Sequence, residues 1–314
     1  MILRSLGLDT SNYTTSAAVF DRAGAVRNCG KLLEVPDGAL GLRQSDAVFQ
    51  HVKRLPQMVE ALREEGLLEH LAVVGASTRP RALEDSYMPC FLVGKGQGET
   101  LAAVLGVPFF ACSHQQGHLA AAAWSAGRED LLDEPHLAWH LSGGTTELLL
   151  VEPEGSQVRA QCIGGSSDIS AGQLVDRTGQ ALGLAFPAGR ALDELAQTSN
   201  QDACFSVKQK DLIFSLSGME NKMRQNLASG MKTADCARFV LETLADILLR
   251  TTQAARKRYG DLPVLCSGGV ASNSLLRMRL RETGALFAPP EYSTDNALGV
   301  AILALRALNK GELG

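Results

Sequence analysis

The predicted order strand, polar turn, strand (one local plan) occurs twice in the chain, and this repeat limits the folds that the chain can adopt. A short apolar strand over residues 2–8 leads through a polar turn into a second strand over residues 17–20. Residues 137–141 and 147–151 are again predicted strands, joined by the small polar turn 142–146. Two copies of one plan, each opening a lobe, predict a duplicated α/β architecture with a ligand bound between the lobes.

The length of the chain supports two lobes. Its 314 residues are 45% hydrophobic and 20% charged, which is ordinary globular composition and enough for two cores of about 150 residues each. The acidic stretch 130–135 precedes the second copy of the plan. We therefore expect a first lobe over residues 1–128 and a second lobe over residues 129–294.

Charge gives no sign of a general affinity for nucleic acids. The formal net charge is -4 and the sequence pI is about 5.9, so the chain has no overall basic field. Any contact with a polynucleotide has to be local or supplied by a partner.

The spacing of the cysteines and the length of the apolar runs indicate the cellular compartment of the protein. The seven cysteines are scattered and show no CxxC spacing, which argues against a disulfide framework and a zinc ribbon and fits a reducing cytosol. The first residues lack the long apolar core of a signal peptide. No run approaches the ~20 apolar residues of a membrane helix. We expect a cytoplasmic protein that does not associate with membranes.

A histidine pair is the leading candidate for a metal site. His114 and His118 are four residues apart, so on a helix their imidazoles lie on one face and can converge on one ion. Chance spacing, a solvated helix cap or a satisfied core histidine are the other interpretations. A zinc protease needs a Glu directly after the first histidine, and here Gln115 cannot take up a proton. A bound metal would therefore hold a ligand rather than drive hydrolysis.

Two kinds of turn are candidates for binding a nucleotide. Hydroxyls and amides in the polar turn 9–16 can hold phosphates and a metal ion, although a Ser/Thr-rich hairpin turn without a ligand fits equally well. Gly268 and Gly269 lie between a strand and a helix, where a glycine pair lets the backbone approach a nucleotide and aims helix N–H groups at it. The pair Gly143 and Gly144 follows another strand, which strengthens this interpretation.

Periodicity and capping residues predict the other elements. The region 88–106 is apolar and contains Gly94, Gly96 and Gly98, which would allow a helix to pack close to a sheet or leave room for a ligand. Thr294, Asp295 and Asn296 are candidate caps for the last helix. The basic residues 256–258 match a helix C-terminus better than an RNA-binding patch. Helices are predicted at residues 44–66, 233–260, 274–282 and 297–308; a further helix starts at His114, one ends near residue 183 and one starts near residue 192. Strands are predicted at residues 71–77, 107–112 and 263–266, and a short strand and turn at residues 211–218.

Taken together, the motifs resemble those of the TsaD family, also called the M22 or O-sialoglycoprotein endopeptidase family. The histidine pair, the Ser-Gly-Gly turn at 142–144, the Ser-Gly-Gly-Val-Ala-Ser-Asn turn at 267–273 and Ser-Thr-Asp-Asn at 293–296 occur in the family's order, and the likeness covers nearly the whole chain. The resemblance implies the two-lobed actin-like ATPase fold of actin, Hsp70 and the sugar kinases, with a duplicated βββαβα core. In this fold the C-terminal helix, residues 295–314, packs back on the first lobe.

The resemblance also implies roles for individual residues. His114, His118 and Asp295 would hold one divalent metal ion, Fe2+ or Zn2+. Asp176 would meet the ribose of an ATP- or AMP-type nucleotide or of threonylcarbamoyl-AMP, Gly189 would lie under the nucleotide, and Asn273 would contact the adenine side. The residues expected to bind nucleotide or substrate are Asp9, Ser11, Ser142, Gly143, Gly144, Thr145, Asp176, Gly189, Gly268, Gly269 and Asn273.

The activity implied by the resemblance is transfer of a threonylcarbamoyl group from threonylcarbamoyl-AMP to N6 of the adenosine next to the anticodon in tRNA. The adenine amine attacks a carbonyl and AMP leaves, so no protein nucleophile is required. A metal held by two imidazoles and one carboxylate keeps open positions and can stabilise the developing charge. TsaB-like and TsaE-like proteins are the implied partners, and the first lobe could form a homo- or heterodimer.

At several positions the chain departs from the family pattern. The acidic pair that usually follows Asp-Thr-Ser is replaced by Tyr13 and Thr14, the histidine of Ser-Gly-Gly-His by Thr145, and the glutamate before Gly-His by Gln116. The Gly-Pro-Gly of the glycine-bearing helix is Met88-Pro89-Cys90. An alternative function is therefore that of a non-catalytic, nucleotide- and metal-binding paralogue acting in assembly or regulation. A glycoprotease is the least supported function, because the protease base is missing.

Overall fold

The computed structural model describes residues 3–11, 13–23, 26–35, 42–293 and 295–313. Two parts of the predictions lie outside the described residues, namely the start of the first strand at Ile2 and the capping role of Thr294.

Twelve strands and nine helices, besides short 3-10 turns, are present in the described residues. The strands are β1 (Arg4–Thr10), β2 (Thr14–Asp21), β3 (Val26–Leu32), β4 (Leu71–Arg79), β5 (Phe109–Ser113), β6 (His136–Leu141), β7 (Thr146–Glu154), β8 (Gln157–Ser166), β9 (Gln209–Lys210), β10 (Ile213–Phe214), β11 (Val264–Ser267) and β12 (Leu286–Phe287). The helices are α1 (Gln44–Glu64), α2 (Phe91–Leu105), α3 (His114–Ser125), α4 (Ala171–Ala181), α5 (Gly189–Gln197), α6 (Ser217–Ala228), α7 (Thr233–Tyr259), α8 (Ser274–Arg281) and α9 (Leu298–Asn309).

The two sheets share one strand order. The sheet β3-β2-β1-β4-β5 continues a meander of three consecutive strands through two strands that are parallel to β1. The second sheet contains the equivalent run β8-β7-β6-β11-β12, in which β7 is antiparallel to β6, β11 is parallel to β6 and β12 is parallel to β11. This correspondence confirms the predicted duplicated α/β core.

The chain divides into two compact units. Unit 1 comprises Met1–Glu134, Glu152–Ala160 and Thr294–Gly314, and unit 2 comprises Pro135–Val151 and Gln161–Ser293. Helix α9 therefore belongs to the unit that the first strands build.

Unit 1 includes two segments outside the predicted first lobe, residues 129–134 and 152–160. Contacts of α9 and of the residue after it hold both segments. Arg306 pairs with Asp133 at 2.8 Å and with Glu129 at 3.5 Å, which holds the acidic stretch in unit 1. Lys310 donates to the carbonyl of Gly155 at 3.0 Å, and Arg306 donates to the carbonyl of Ser156. These bonds hold the tip of the β7–β8 hairpin in unit 1 as well.

The glycines of α2 serve packing. Thr10 Oγ1 donates to the carbonyl of Cys90 at 2.9 Å and accepts from the N–H of Gly94 at 3.1 Å. A Cβ at Gly98 would lie 2.8 Å from the ring of Phe109. Of the two uses that the sequence left open for these glycines, close packing of the helix on the sheet is the one observed at Gly94 and Gly98.

Helix α6 was not predicted, because the signal for its start is remote in sequence. Asp168 accepts hydrogen bonds from the N–H of Leu216 at 2.9 Å, from the N–H of Ser217 at 3.2 Å and from the hydroxyl of Ser215 at 2.5 Å. A carboxylate at a helix start satisfies N–H groups that have no partner within the helix. Sequence reasoning assigned only a strand and a turn to residues 211–218.

Among the described residues, none of the helices combines the length and the apolar character that crossing a bilayer requires.

Replacing Asp168 is expected to destabilise unit 2 in a pH-dependent way. Burial raises the pKa of Asp168, but the donors of Ser215, Ser217, Leu216 and Ile169 outweigh it and hold the pKa well below its usual range. Asp168→Asn should lower the free energy of unfolding by about 1 kcal/mol at pH 7, because the amide keeps one acceptor oxygen but loses the second acceptor and the negative charge at the helix start. Because the folded pKa is depressed, this difference is complete above the unfolded pKa of about 3.9 and declines as the pH falls below it.

Urea unfolding at pH 7 and at pH 3 measures this difference. Asp202→Asn, at an exposed position of unit 2, is the control and should leave the stability unchanged. A difference between Asp168→Asn and the unmodified chain that stays the same at both pH values would contradict the cap assignment.

Candidate functional site

The start of α3 places the first histidine directly at the end of a strand. Ser113, the last residue of β5, accepts a hydrogen bond from the N–H of Gln116, and the side chain of Gln116 accepts one from the N–H of Ser113. This reciprocal capping box is a strong start signal for a helix. His114 is thus the first residue of the helix and His118 lies about one turn further on.

Gln116 has a structural role that suits an amide. Its side chain is buried, with 3% exposed, and its Nε2 donates to the carbonyl of Val158 at 2.8 Å. A carboxylate could not donate this hydrogen bond. The departure from the family pattern at this position is therefore compatible with an intact helix start.

A close crossing of α3 and α9 brings distant parts of the chain together. A Cβ built on Gly299 would lie 1.7 Å from the carbonyl oxygen of Gly117, so the two backbones touch where neither residue has a side chain. Gly117 is next to His118, and Gly299 is four residues after Asp295. The crossing therefore sets how near the carboxylate comes to the imidazoles.

Three potential metal ligands converge at this crossing. The Nε2 atoms of His114 and His118 lie 2.9 Å apart, and Oδ1 of Asp295 lies 3.5 Å from the first and 3.2 Å from the second. Ligand atoms bound at 2.0–2.2 Å to one ion are separated by about 2.9–3.5 Å. The spacing of the three donors fits one ion, so this group could hold a metal.

Asp9 supports the histidine rather than facing open space. Its carboxylate is fully buried, and its Oδ1 lies 3.1 Å from Nδ1 of His114 and accepts a hydrogen bond from the hydroxyl of Ser77. A carboxylate behind a ligating histidine fixes the orientation and tautomer of the ring. None of Asp9 is exposed, and its contact with a nucleotide stays a prediction.

The polar turn after β1 reaches the third ligand. The hydroxyls of Ser11 and Thr14 donate to Oδ2 of Asp295 at 3.2 and 3.3 Å. The structure places the hydroxyl of Ser11 against the carboxylate of Asp295, and binding of a nucleotide by Ser11 stays a prediction. Thr14, one of the departures from the family pattern, makes the same contact.

Electrostatics favour a cation at this point of unit 1. Burial lowers the pKa of His114, but the charges and hydrogen bonds of Asp9 and Asp295 outweigh it and raise the pKa to about 10. Burial raises the pKa of Asp295, yet the bonds to His114 and His118 hold it well below its usual range. Two carboxylates therefore stabilise positive charge beside the imidazoles.

The capping interpretation of Asp295 is not needed for α9. The N–H of Leu298, its first residue, donates to the side-chain oxygen of Asn296 at 3.1 Å. One of the three candidate caps thus serves the helix, and the carboxylate of Asp295 is directed to the histidines.

Unit 2 contains a cavity of about 620 Å³. Five of the residues predicted to bind nucleotide line it: Gly143, Asp176, Gly189, Gly269 and Asn273. Ser142, Gly144, Thr145 and Gly268 lie in the two turns that carry Gly143 and Gly269 and are not among the lining residues. Sequence reasoning missed the remaining lining residues: Gly172, Val175, Phe186, Pro187, Arg190, Asp193, Val270 and Ser272.

The two glycine turns of unit 2 are built differently. In the first, Ser142 and Thr145 close the turn through the Ser142 N–H and hydroxyl, and Gly143 and Gly144 have open space where a Cβ would lie. In the second, Gly268 has φ +92, and a Cβ would lie 2.3 Å from the carbonyl oxygen of Leu141, so this position requires glycine.

At the start of α8, beside this cavity, backbone N–H groups already donate to side chains of the protein. Asp193 accepts hydrogen bonds from the N–H and the hydroxyl of Ser274, both at 2.8 Å, and Asn273 accepts one from the N–H of Leu276 at 3.0 Å. Side chains of the protein therefore accept from these two N–H groups, and the predicted use of helix N–H groups for a nucleotide stays a prediction. A carboxylate at this end suits the hydroxyl groups of a nucleoside better than an anion.

The three potential metal ligands belong to unit 1, and the residues that line the cavity belong to unit 2. A single cleft that contains both stays a prediction.

Comparison with solved structures defines the class of fold. The HypF structure from T. kodakarensis matches with a TM-score of 0.64 over 98% of this chain and 48% of that chain, at 15% identity. A ROK hexokinase from Thermus thermophilus matches with a TM-score of 0.54 over 98% of this chain and 100% of that chain, at 16% identity. The chain has the fold of the actin-like ATPases, as the sequence predicted.

Sequence comparison defines the family. The sequence model of TsaD, tRNA N6-adenosine threonylcarbamoyltransferase, matches residues 42–302. A protein of that name from Thermus thermophilus is 32% identical over 313 residues, covering 98% of this chain and 93% of the relative. The one from Granulibacter bethesdensis is 32% identical over 338 residues, covering 98% and 89%. The chain belongs to the TsaD family, a family of transferases.

Enlarging Gly299 is expected to separate α3 from α9. In Gly299→Ala the new Cβ overlaps the carbonyl of Gly117, so the helices must move apart, and overpacking of this kind costs about 1–3 kcal/mol or more. We expect a lower melting temperature together with weaker binding of Zn2+ by the isolated protein, measured by thermal unfolding and chelator competition.

Gly96→Ala is the matched control for this substitution. Gly96 lies inside α2 with nothing within 4 Å of its Cβ position, so alanine should be neutral or stabilise by up to about 1 kcal/mol. If Gly299→Ala melted and bound Zn2+ like Gly96→Ala, the crossing would not set the site.

Proposed function

We propose that this chain transfers a threonylcarbamoyl group from threonylcarbamoyl-AMP to N6 of the adenosine next to the anticodon in tRNA. Membership of the TsaD family and the names of its relatives support a role in tRNA modification. The observation that carries the proposal is the convergence of His114 and His118 with Asp295, which follows His118 by 177 residues. The chain thus has a candidate metal group where its family membership calls for one.

One divalent ion, Fe2+ or Zn2+, is the proposed metal. Two imidazole nitrogens and one carboxylate oxygen suit both ions. When bound, the ion would supply Lewis acidity to the carbonyl or phosphate oxygens of the intermediate. His114 and His118 would bind it through Nε2 and Asp295 through Oδ1, while Asp9 holds His114 in the orientation that presents Nε2.

The adenosine part of the substrate is proposed to occupy the cavity of unit 2. The carboxylate of Asp176 accepts the N–H of Ala188 at 2.9 Å and can accept a ribose hydroxyl as well, because a carboxylate has several lone pairs. The open backbone at Gly143 and Gly144 allows a close approach by the ligand. Gly189 and Asn273 would border the base.

Phe186 is proposed to stack on that base. Its ring is 84% exposed although it lines the cavity, and base stacking on an aromatic ring contributes about 1–3 kcal/mol. Phe186→Ala should weaken binding of AMP about 10-fold in calorimetric titration without lowering the melting temperature. Leu83→Ala, at a residue of unit 1 that is 60% exposed, is the control. Equal affinities for the two variants would exclude Phe186 from the site.

The proposed partners are tRNA and the TsaB-like and TsaE-like proteins, and the proposed location is the cytoplasm. In unit 1, α1 and α2 form an apolar groove of about 680 Å³ with Val52, Leu92 and Leu101 in its lining. Exposed apolar surface of this kind marks protein interaction sites. The groove supports a homo- or heterodimer through this unit.

A second function, that of a non-catalytic binding protein in assembly or regulation, is favoured by the neutral residues Tyr13, Thr14 and Thr145. It would retain metal and nucleotide without transferring the group. A glycoprotease has the least support, because Gln115 occupies the position of the protease base.

One assay separates these functions. Purified protein is incubated with threonylcarbamoyl-AMP, unmodified tRNA and the partner proteins, and modified adenosine is measured by mass spectrometry. We expect product with the unmodified chain and with His70→Asn, a change at an exposed histidine, but at least 100-fold less with the double variant His114→Ala/His118→Ala. Binding of AMP and metal without product under every set of partners would favour the binding protein.

A further inference from the structure

The two oxygens of Asp295 have different surroundings. Oδ1 faces the imidazoles, at 3.2 Å from Nε2 of His118 and 3.5 Å from Nε2 of His114. Oδ2 accepts the hydroxyls of Ser11 and Thr14 at 3.2 and 3.3 Å. One oxygen is thus directed to the metal group and the other to the turn between β1 and β2.

The hydroxyls of Ser11 and Thr14 are placed to hold Oδ2 of Asp295 away from the imidazoles. Ser11 is 3% exposed and Thr14 is 7% exposed, and a buried hydroxyl needs a hydrogen-bond partner inside the protein. Hydrogen bonds to a charged acceptor are stronger than those between neutral groups. Rotation of the carboxylate toward a two-oxygen contact with the ion would break both of them.

We propose that Thr14, together with Ser11, is a positioning residue that makes Asp295 a metal ligand through one oxygen only. The inference rests on the metal centre of the proposed function. Two imidazoles and one carboxylate oxygen then form a three-ligand centre that keeps its other positions open. Oxygen ligands of the substrate, phosphate or carboxylate, would enter these positions.

Threonine at position 14 affects the negative charge around the proposed ion. A threonine adds a donor without a second carboxylate, so the ligand set around the ion carries the single charge of Asp295, with the buried Asp9 behind His114. A lower negative charge leaves the ion a stronger Lewis acid for anionic oxygens. In this chain, a neutral residue at the edge of the centre is thus compatible with binding an anionic substrate.

Cobalt binding by the isolated chain tests this role without any activity measurement. Co2+ is added to metal-free protein, its affinity is measured by chelator competition, and the visible absorption bands report the number of ligands. Loss of an outer hydrogen-bond partner typically lowers metal affinity 10–100-fold. We expect Thr14→Val to weaken Co2+ binding about 10-fold and to change the absorption bands, because Asp295 can then offer both oxygens. Thr14→Ser, which keeps the hydroxyl, should behave like the unmodified chain.

Thr15→Val is the matched control. Thr15 lies in the same strand and is also buried, but its hydroxyl contacts Nδ1 of His51 at 2.8 Å and not Asp295. It should leave Co2+ affinity and spectrum unchanged. Circular dichroism verifies folding, and should Thr14→Val fail to fold, Ser11→Ala takes its place with the same expected weakening.

The outcomes distinguish failure of the proposed metal centre from failure of the positioning role of Thr14. An unmodified chain that binds no Co2+ would contradict the metal centre itself. An unmodified chain that binds Co2+ and matches Thr14→Val in affinity and spectrum would overturn the positioning role alone. A Thr14→Ser variant that behaves like Thr14→Val would also overturn it, because the methyl group and not the hydroxyl would then be responsible.

Discussion

The contact between the backbones of α3 and α9 is the constraint on which the candidate metal centre depends. Gly117 and Gly299 meet with no room for a Cβ, and this crossing carries His118 and Asp295 to within 3.2 Å. Ligand geometry in metal sites tolerates errors of only a few tenths of an ångström. A helix crossing fixed by backbone contact gives that precision at lower cost than a contact between flexible side chains.

Charge and hydrogen bonds further orient the side chains that the helix crossing brings together. Asp9 lies behind His114, and two hydroxyls of the same turn hold the far oxygen of Asp295. Asp9, Ser11 and Thr14 therefore orient His114 and Asp295, and phosphate binding by the turn that follows β1 stays a prediction. In unit 2, carboxylates at the cavity suit hydroxyl groups of a nucleoside. The metal group of unit 1 and the cavity of unit 2 thus differ in the chemistry of their side chains.

Local patterns predicted the architecture well, because strand alternation and glycine turns act over a few residues. The strands β1, β2, β6 and β7, the histidine helix and α7 follow from such patterns, whereas α6 was missed because its cap, Asp168, lies 48 residues before Leu216. The histidine spacing pointed to a metal, but Asp295 entered only through the family resemblance, and no local signal marked Gly117 and Gly299 as partners. Gln116 was regarded as a lost ionisable group, although its amide fills a buried structural role that only the fold reveals.

The central claim is that His114, His118 and Asp295 bind one ion together. Crystals of the purified protein, grown with Zn2+ and measured on both sides of the zinc absorption edge, locate the ion directly. The account predicts one anomalous peak within about 2.2 Å of both Nε2 atoms and of Oδ1 of Asp295. A zinc ion at another site, with these three side chains in the arrangement described here and no peak between them, would contradict it.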